Sequence, residues 1–152
     1  MLKGHFGKIY GLAWSNDGTH LVSASQDGKI ILWNSRTTNK RLAISLHTGW
    51  VMALDYAPSG HYIASGGLDN VCSVFHITDE SVGWDTRTPS VELRQHEAYV
   101  SDNRFINDNK ILTTSGDSTI ILWDLNSKHP LEIFKDHTGT FFFFYITRIQ
   151  IG

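Results

Sequence analysis

The sequence holds one cysteine, Cys72, and three prolines. A lone cysteine excludes an internal disulfide framework and a Cys-x-x-Cys zinc site. No block of like charge occurs. Thirteen Lys and Arg stand against fifteen Asp and Glu, and the net charge of −2 leaves no electrostatic footprint for nucleic acid. Long hydrophobic runs are missing too. The longest apolar stretch, FFFFYI at 141–146, falls far short of the roughly 20 residues that span a bilayer. Met1 is followed at once by LKGHFGK, which is no signal peptide, so intracellular residence without direct membrane insertion is expected. Helix-period apolar stripes are scarce. What remains is a series of short β-rich runs parted by turn residues. At 152 residues, 41% hydrophobic and 12% aromatic, the chain suits one domain with a packed core.

The chain repeats itself. LVSASQDGKIILWN (21–34) returns as ILTTSGDSTIILWD (111–124). Asp27, Asp69 and Asp117 each stand six residues before an aromatic: Trp33, Phe75 and Trp123. Each also follows a histidine at 21 or 22 residues: His5, His47 and His96. A hydroxyl precedes each Asp by four: Ser23, Ser65 and Thr113. His137 lies 14 past Trp123, as His47 lies 14 past Trp33. The unit is 42 residues, stretched to 48 or 49 in its second copy by the polar insertion Thr78–Ser90. A period of this length signals a repeat architecture.

Four strands per unit are predicted. In the first they are IYGLAWS, HLVSAS, IILWN and RLAISL; in the second VMALDYA, HYIASG, VCSVFHI and SVELRQ; in the third VSDNRFI, KILTTSG, IILWDL and PLEIFK. Gly, Asn, Asp and Pro turns join them into an antiparallel meander. The third strands are apolar at successive positions (Ile30, Ile31, Leu32, Trp33), as expected of a sheet covered on both faces. Sheets stacked radially, each against its neighbour, provide that cover.

Ser23, His5 and Asp27 are the residue types of a hydrolase triad. The set recurs three times in step, whereas a catalytic site occurs once, and no G-x-S-x-G elbow accompanies the serines. A structural network is the reading that fits, so no enzyme is expected. Four of the eight histidines are repeat positions, and no H-E-x-x-H or Cys/His cluster appears, which excludes a metal site and any cofactor at one. The other four, His20, His61, His76 and His129, lie at strand ends, where an exposed polar residue is ordinary.

The Gly4-His5 pair, the Asp six before Trp, and LWN and LWD in the place of Trp-Asp resemble the WD40 repeat family. The resemblance implies an all-β fold: an incomplete WD40 β-propeller of three four-stranded antiparallel blades. These are expected over about 1–46, 47–95 and 96–136, the partial propeller covering 1–139, with 140–152 a non-homologous apolar tail. Phe75 departs from the signature Trp, and only His5 has Gly before it. In such a blade each repeated stretch is a b–c hairpin, its small residues allowing close approach to the central axis. The turn Asp is placed to accept from the His ring, the His to bond the hydroxyl, and the hydroxyl to bond the Trp indole. The network comprises His5, Ser23, Asp27 and Trp33; His47, Ser65 and Asp69; and His96, Thr113, Asp117 and Trp123.

KIYGLAW, TTNK, WVMALDYAPSG, GGLDN followed by CS, and SGDSTIILWD are similar to one subfamily, the β subunit of heterotrimeric G proteins, from Lys3 to about Leu125. In an a–b–c–d meander the d–a connection and the b–c turn share one rim. On it fall Lys8, Tyr10, Lys29, Trp50, Met52, Leu68, Asn70 and Tyr99, the composition of a protein-binding hot spot. The resemblance implies that these positions contact the α subunit and effectors, and that Lys40 makes a side contact with the α subunit's N-terminal helix. Phe6 and Gly49 stand where Leu and Ser are expected, and SDNRF replaces a more apolar segment, which predicts weaker packing there. The insertion is expected in a c–d loop on the far face. A γ subunit is implied for the full-length family, but the helix that pairs with it is absent, Met1 falling at a repeat boundary. The location implied is cytoplasmic, peripheral at the inner face of the plasma membrane through partners. Another WD40 adaptor, or a truncated fragment without function, are the other readings.

Overall fold

Two to six residues separate consecutive strands in the computed structural model, which describes residues 1–45, 48–78, 83–85 and 88–135. The strands are β1 (Ile9–Trp14), β2 (His20–Ser25), β3 (Lys29–Asn34), β4 (Lys40–Ser45), β5 (Val51–Tyr56), β6 (Tyr62–Gly67), β7 (Val71–His76), β8 (Gly83–Asp85), β9 (Val91–Arg94), β10 (Val100–Asn107), β11 (Lys110–Ser115), β12 (Ile120–Asp124) and β13 (His129–Phe134). They form three antiparallel meanders, β1-β2-β3-β4, β5-β6-β7-β9 and β10-β11-β12-β13. His47, His137 and the tail 140–152 lie outside the described residues.

The b–c turns are built alike in all three sheets. Gly28, Asn70 and Ser118 adopt φ of 76°, 64° and 67°. Their amides bond back to the carbonyls of Ser25, Gly67 and Ser115, each at 3.2 Å. The repeat aspartate before each of them closes the turn from its side chain, Oδ1 accepting from the amide two residues on: Lys29 (3.0 Å), Val71 (3.4 Å) and Thr119 (2.9 Å). Gly and Asn enter the left-handed region at small cost, which is why the first two turns carry them, while the third places Ser118 there.

The sheets stack face to face. Val22, Ile30, Leu32 and Ile44 of the first meet Leu54, Ile63 and Phe75 of the second in one core. Ala64, Cys72, Val74 and Leu93 of the second meet Phe105, Ile111, Ile121 and Trp123 of the third in another. A strand between two such interfaces has no wet face, so β7 is buried at five consecutive positions. Phe75 takes the buried place of Trp33 and Trp123 and is 1% exposed.

Small residues in β6 meet close local packing. A Cβ on Gly66 would lie 2.5 Å from Val100 of the third sheet, and one on Gly67 would overlap the Trp50 carbonyl oxygen. The insertion also does more than form a loop. Its β8 pairs in parallel with β4, Ala43 opposite Trp84, and gives the first sheet a short fifth strand.

SDNRF lies in β10, beside β5. Asp102 is 6% exposed and its Oδ1 is 3.0 Å from Arg104 Nη1. The Phe105 amide donates to Asp55 Oδ2 at 2.7 Å. Burial drives the Asp55 carboxyl upward in pKa, against the pull of that amide and of Arg104. Asn103 is fully buried, and neither its Nδ2 nor its Oδ1 has a hydrogen-bond partner. It pairs with Thr113 as Leu54 pairs with Ser65, so a polar amide sits where the preceding sheet places leucine.

Candidate protein-binding rim and the network that sets it

In the first sheet the Trp33 indole donates to Ser23 Oγ at 2.8 Å. Ser23 Oγ lies 2.7 Å from His5 Nε2, and His5 Nδ1 lies 3.1 Å from Asp27 Oδ2. The bonds are mutually satisfied when the serine hydroxyl donates to Nε2 and Nδ1–H donates to the carboxylate. Asp27 Oδ2 also accepts the Phe6 amide at 2.8 Å. The third sheet repeats the chain: Trp123 Nε1 to Thr113 Oγ1 at 2.8 Å, Thr113 Oγ1 to His96 Nε2 at 2.7 Å, and His96 Nδ1 to Asp117 Oδ2 at 3.0 Å. The Glu97 amide adds a bond to Asp117 Oδ2 at 2.9 Å. In the second sheet Ser65 is fully buried and Asp69 closes its turn, while His47 lies outside the described residues.

Electrostatics follow from these partners. Burial pushes Asp27 and Asp117 upward, but the amides and imidazoles aimed at them, with the Thr119 hydroxyl at Asp117, outweigh it. Both end below the usual carboxylate range, Asp117 at about 2. Burial lowers His96 below the ordinary imidazole value, against the attraction of Asp117. A neutral imidazole bonding an ionised aspartate is the state these directions describe. The hydroxyls are 2%, 0% and 0% exposed at Ser23, Ser65 and Thr113. Ser23 and Thr113 each carry an indole N–H on the oxygen that a nucleophile would need free. The set therefore ties the loop before the first and the third sheet to its b–c turn and offers no reacting atom to solvent.

The rim is built on that tie. The residue before each repeat Asp donates its amide to a carbonyl three residues past the repeat His. Gln26 donates to Lys8 (2.8 Å), Leu68 to Trp50 (3.0 Å) and Gly116 to Tyr99 (3.0 Å). Lys8, Trp50 and Tyr99 thus hold one equivalent place on three sheets. Just beyond, the first strand of each sheet bulges: the pairing shifts between Ile9 and Gly11, between Val51 and Ala53, and between Val100 and Asp102. The extra residues are Tyr10, Met52 and Ser101. A bulge re-aims the side chain it carries.

Contacts join several of these residues. Tyr10 stacks on Trp50, ring centroids 5.6 Å apart and planes 22° from parallel. Both remain about 40% exposed. Lys29 Nζ stands 5.4 Å over the Phe6 ring, which is itself 85% exposed. Leu68 is exposed and closes over Gly49, where an added Cβ would lie 3.1 Å from its own. Asn70 Nδ2 reaches the Glu97 carbonyl at 3.4 Å, linking the second sheet to the third. The Tyr99 ring covers Gly116. Met52 is half-buried beside Tyr10 at a cavity that Asp102 and Arg104 also line. Lys40 stands apart. It pairs with Trp33 at the other end of β3, and its stem lies over Gly4.

Sequence reasoning missed one group. His20, His61 and His76 converge on a single cleft with Arg41, at the end of the sheets opposite the b–c turns. Reading each strand separately could not bring them together. Among the described residues, no group of three or more His, Cys, Asp or Glu could hold a metal ion, and no helix is long and apolar enough to cross a membrane.

A family model described as "WD domain, G-beta repeat" matches residues 1–34, 39–76 and 87–124. The chain is 49% identical over 142 residues to the "Guanine nucleotide-binding protein G(I)/G(S)/G(T) subunit beta-1" of Homarus americanus, covering 91% of this chain and 40% of that protein. It is 46% identical over 138 residues to the "Guanine nucleotide-binding protein subunit beta" of Dictyostelium discoideum, covering 91% and 39%. The chain thus spans about 40% of the length of these relatives. Three stacked antiparallel meanders, a His–hydroxyl–Trp tie repeated on the first and third, and three matched repeats lead to one assignment: the chain belongs to the WD40, or G-beta repeat, family.

Proposed function

We propose that this chain works as a signalling scaffold of the G protein β type, binding a G protein α subunit and effectors through its b–c rim and catalysing nothing itself. The binding residues are Lys8, Tyr10, Lys29, Trp50, Met52, Leu68, Asn70 and Tyr99, with Lys40 as a separate side contact. One observation carries the reading. Half-exposed Tyr10 and Trp50 are stacked on each other on a rim whose backbone is fixed identically on three sheets. Aromatic surface held rigid in solvent loses little freedom on binding, and lysines beside it favour an acidic partner. The relatives named above are guanine nucleotide-binding protein β subunits, which supports this partner class. A γ subunit is a partner of the larger protein of which these three repeats would form part, and partners of this kind would hold the chain at the inner face of the plasma membrane.

Affinity capture on an immobilised, GDP-bound α subunit tests the reading. The parent chain is retained, and Trp50→Ala and Met52→Ala each abolish retention while the melting curve stays in place. Variants that bind as the parent does would refute the rim assignment. A parent that is not retained would leave a WD40 adaptor of another kind.

A further inference from the structure

The two ends of the stack carry the two halves of one interface. Within the chain, Val22, Ile30, Leu32 and Ile44 of the first sheet receive Val51, Leu54, Tyr56 and Phe75 of the second. Strand pairing puts Ile9, Leu12 and Trp14 of the first sheet at the places of Val51, Leu54 and Tyr56. All three are exposed, whereas their counterparts are buried. Ile9 and Leu12 line a groove of about 350 Å³ with Leu21, Trp33 and Lys3. In the second sheet the equivalent space, beside Leu54, Ile63 and Phe75, is filled by side chains of the first.

The third sheet carries the other half. Its strands pair Leu112 with Leu122 and Ile120 with Phe134, as the first sheet pairs Val22 with Leu32 and Ile30 with Ile44. The set is apolar in both, and Ile and Leu recur unchanged at two of the four places. In the first sheet it is buried. In the third, Leu112, Ile120 and Leu122 are half-buried and Phe134 is exposed. One charge distinguishes the two sets. Glu132 pairs with Leu122 where Leu42 pairs with Leu32. A carboxylate at that place needs a cation from whatever covers it, and Lys3 supplies one at the groove.

We propose that two copies of this chain associate head to tail, the third sheet of each seated on the first sheet of the other. The contact is the one that already joins the first sheet to the second, used again between copies. A contact between two different faces makes a ring when its rotation closes and a filament when it does not. Two copies of three sheets give six, inside the range of roughly four to eight over which propellers close. The assembly is therefore a closed dimer with both contacts made. It depends on concentration: in dilute solution Leu12 faces water, and its truncation there costs little.

Sedimentation equilibrium of the full chain over a concentration series tests this. The parent passes from monomer to a discrete species of twice its 17.1 kDa. Leu12→Asp and Phe134→Asp each put a charge on one face at an exposed position. Each keeps the melting curve of the dilute chain and stays monomeric where the parent is dimeric. Mixed one to one, they associate again, more weakly than the parent, because each supplies the face the other has lost. Trp50→Ala lies on the rim and dimerises as the parent does, so failure of the rim and failure of the dimer are told apart. A parent that is monomeric at every concentration would overturn the proposal and leave both faces to other repeats of a longer protein. Phe134→Asp associating like the parent would mean a same-face dimer and overturn it too. So would a mixture no more associated than its components, or a ladder of open oligomers.

Discussion

Leu12 and Leu54 occupy the same place in successive sheets, each paired with its sheet's network hydroxyl, Ser23 or Ser65, yet Leu12 is 62% exposed and Leu54 only 2%. Trp14 and Tyr56 repeat the contrast at 58% and 8%. The difference is the neighbour: Leu54 packs into the core shared with the first sheet, while Leu12 faces outward from that sheet's other side. Identical side chains in identical strands should therefore carry different stability. Leu54→Ala should cost about 2–5 kcal/mol by opening a cavity, whereas Leu12→Ala should stay within about 0.5 kcal/mol. Urea unfolding of the two variants checks this, and equal midpoints would mean that the sheets do not stack as described.

Removing the hydroxyl at the centre of the network should cost stability and no activity. Ser23→Ala strips the Trp33 indole and His5 Nε2 of their shared partner. Two orphaned buried groups predict a loss of about 1–3 kcal/mol. Thr113→Ala should do the same through Trp123 and His96. An esterase activity that disappears in Ser23→Ala with an unchanged melting curve would contradict the structural role.

How much of this was legible in the sequence follows the physics of each feature. Asp27, Asp69 and Asp117 announced their turns because an aspartate caps an amide two residues on, a purely local act. The strands followed from those turns, with boundaries within about two residues. The bulges at Tyr10, Met52 and Arg41 were not legible, since each is a one-residue slip between two strands and leaves no mark on either alone. Nor was β8, whose partner is the outer strand of another repeat. The cleft histidines read as ordinary strand ends because their meeting depends on two sheets being stacked.

Acid should weaken the fold in two stages. His96 is held neutral, its folded pKa below the ordinary 6.5 because of burial. Its contribution is complete above pH 6.5 and declines below it, as the unfolded chain takes up the proton first. Asp117 is held ionised with a folded pKa of about 2 against an ordinary 3.8. Its contribution is complete above about pH 4 and is lost as the pH falls towards 2. Denaturation midpoints measured from pH 8 to pH 2 should fall in both windows. Asp117→Asn should start lower and lose less between pH 4 and pH 2. A variant that tracks the parent through that window would remove Asp117 from the account.

Asn103 offers the opposite experiment, a substitution that stabilises. Its amide is fully buried with both polar atoms unpartnered, at the place where Leu54 sits in the second sheet. Asn103→Leu removes two desolvated groups and adds apolar contact at similar volume. A gain of about 1–3 kcal/mol is expected. It should appear as a higher urea midpoint with an unchanged slope, because the surface exposed on unfolding is nearly the same. A midpoint that fails to rise would mean that the amide is satisfied in solution.

The stacked pair on the rim makes a prediction that neither ring makes alone. Tyr10 is the bulged residue of the first sheet, and Trp50 begins the second, so their contact bridges two repeats. If the α subunit binds across them, each ring helps to hold the other in place, and removing one loosens the second. Tyr10→Ala and Trp50→Ala should then be non-additive in affinity for the α subunit. The double variant should bind better than the sum of the single losses by about 0.5–1.5 kcal/mol, the worth of an aromatic pair. That is roughly a two- to tenfold difference in Kd. Rings acting as separate contacts would instead add to within about 0.3–0.5 kcal/mol. The cycle thus distinguishes a pre-assembled aromatic platform from two residues that merely share a surface, and additivity would leave the rim a set of independent contacts.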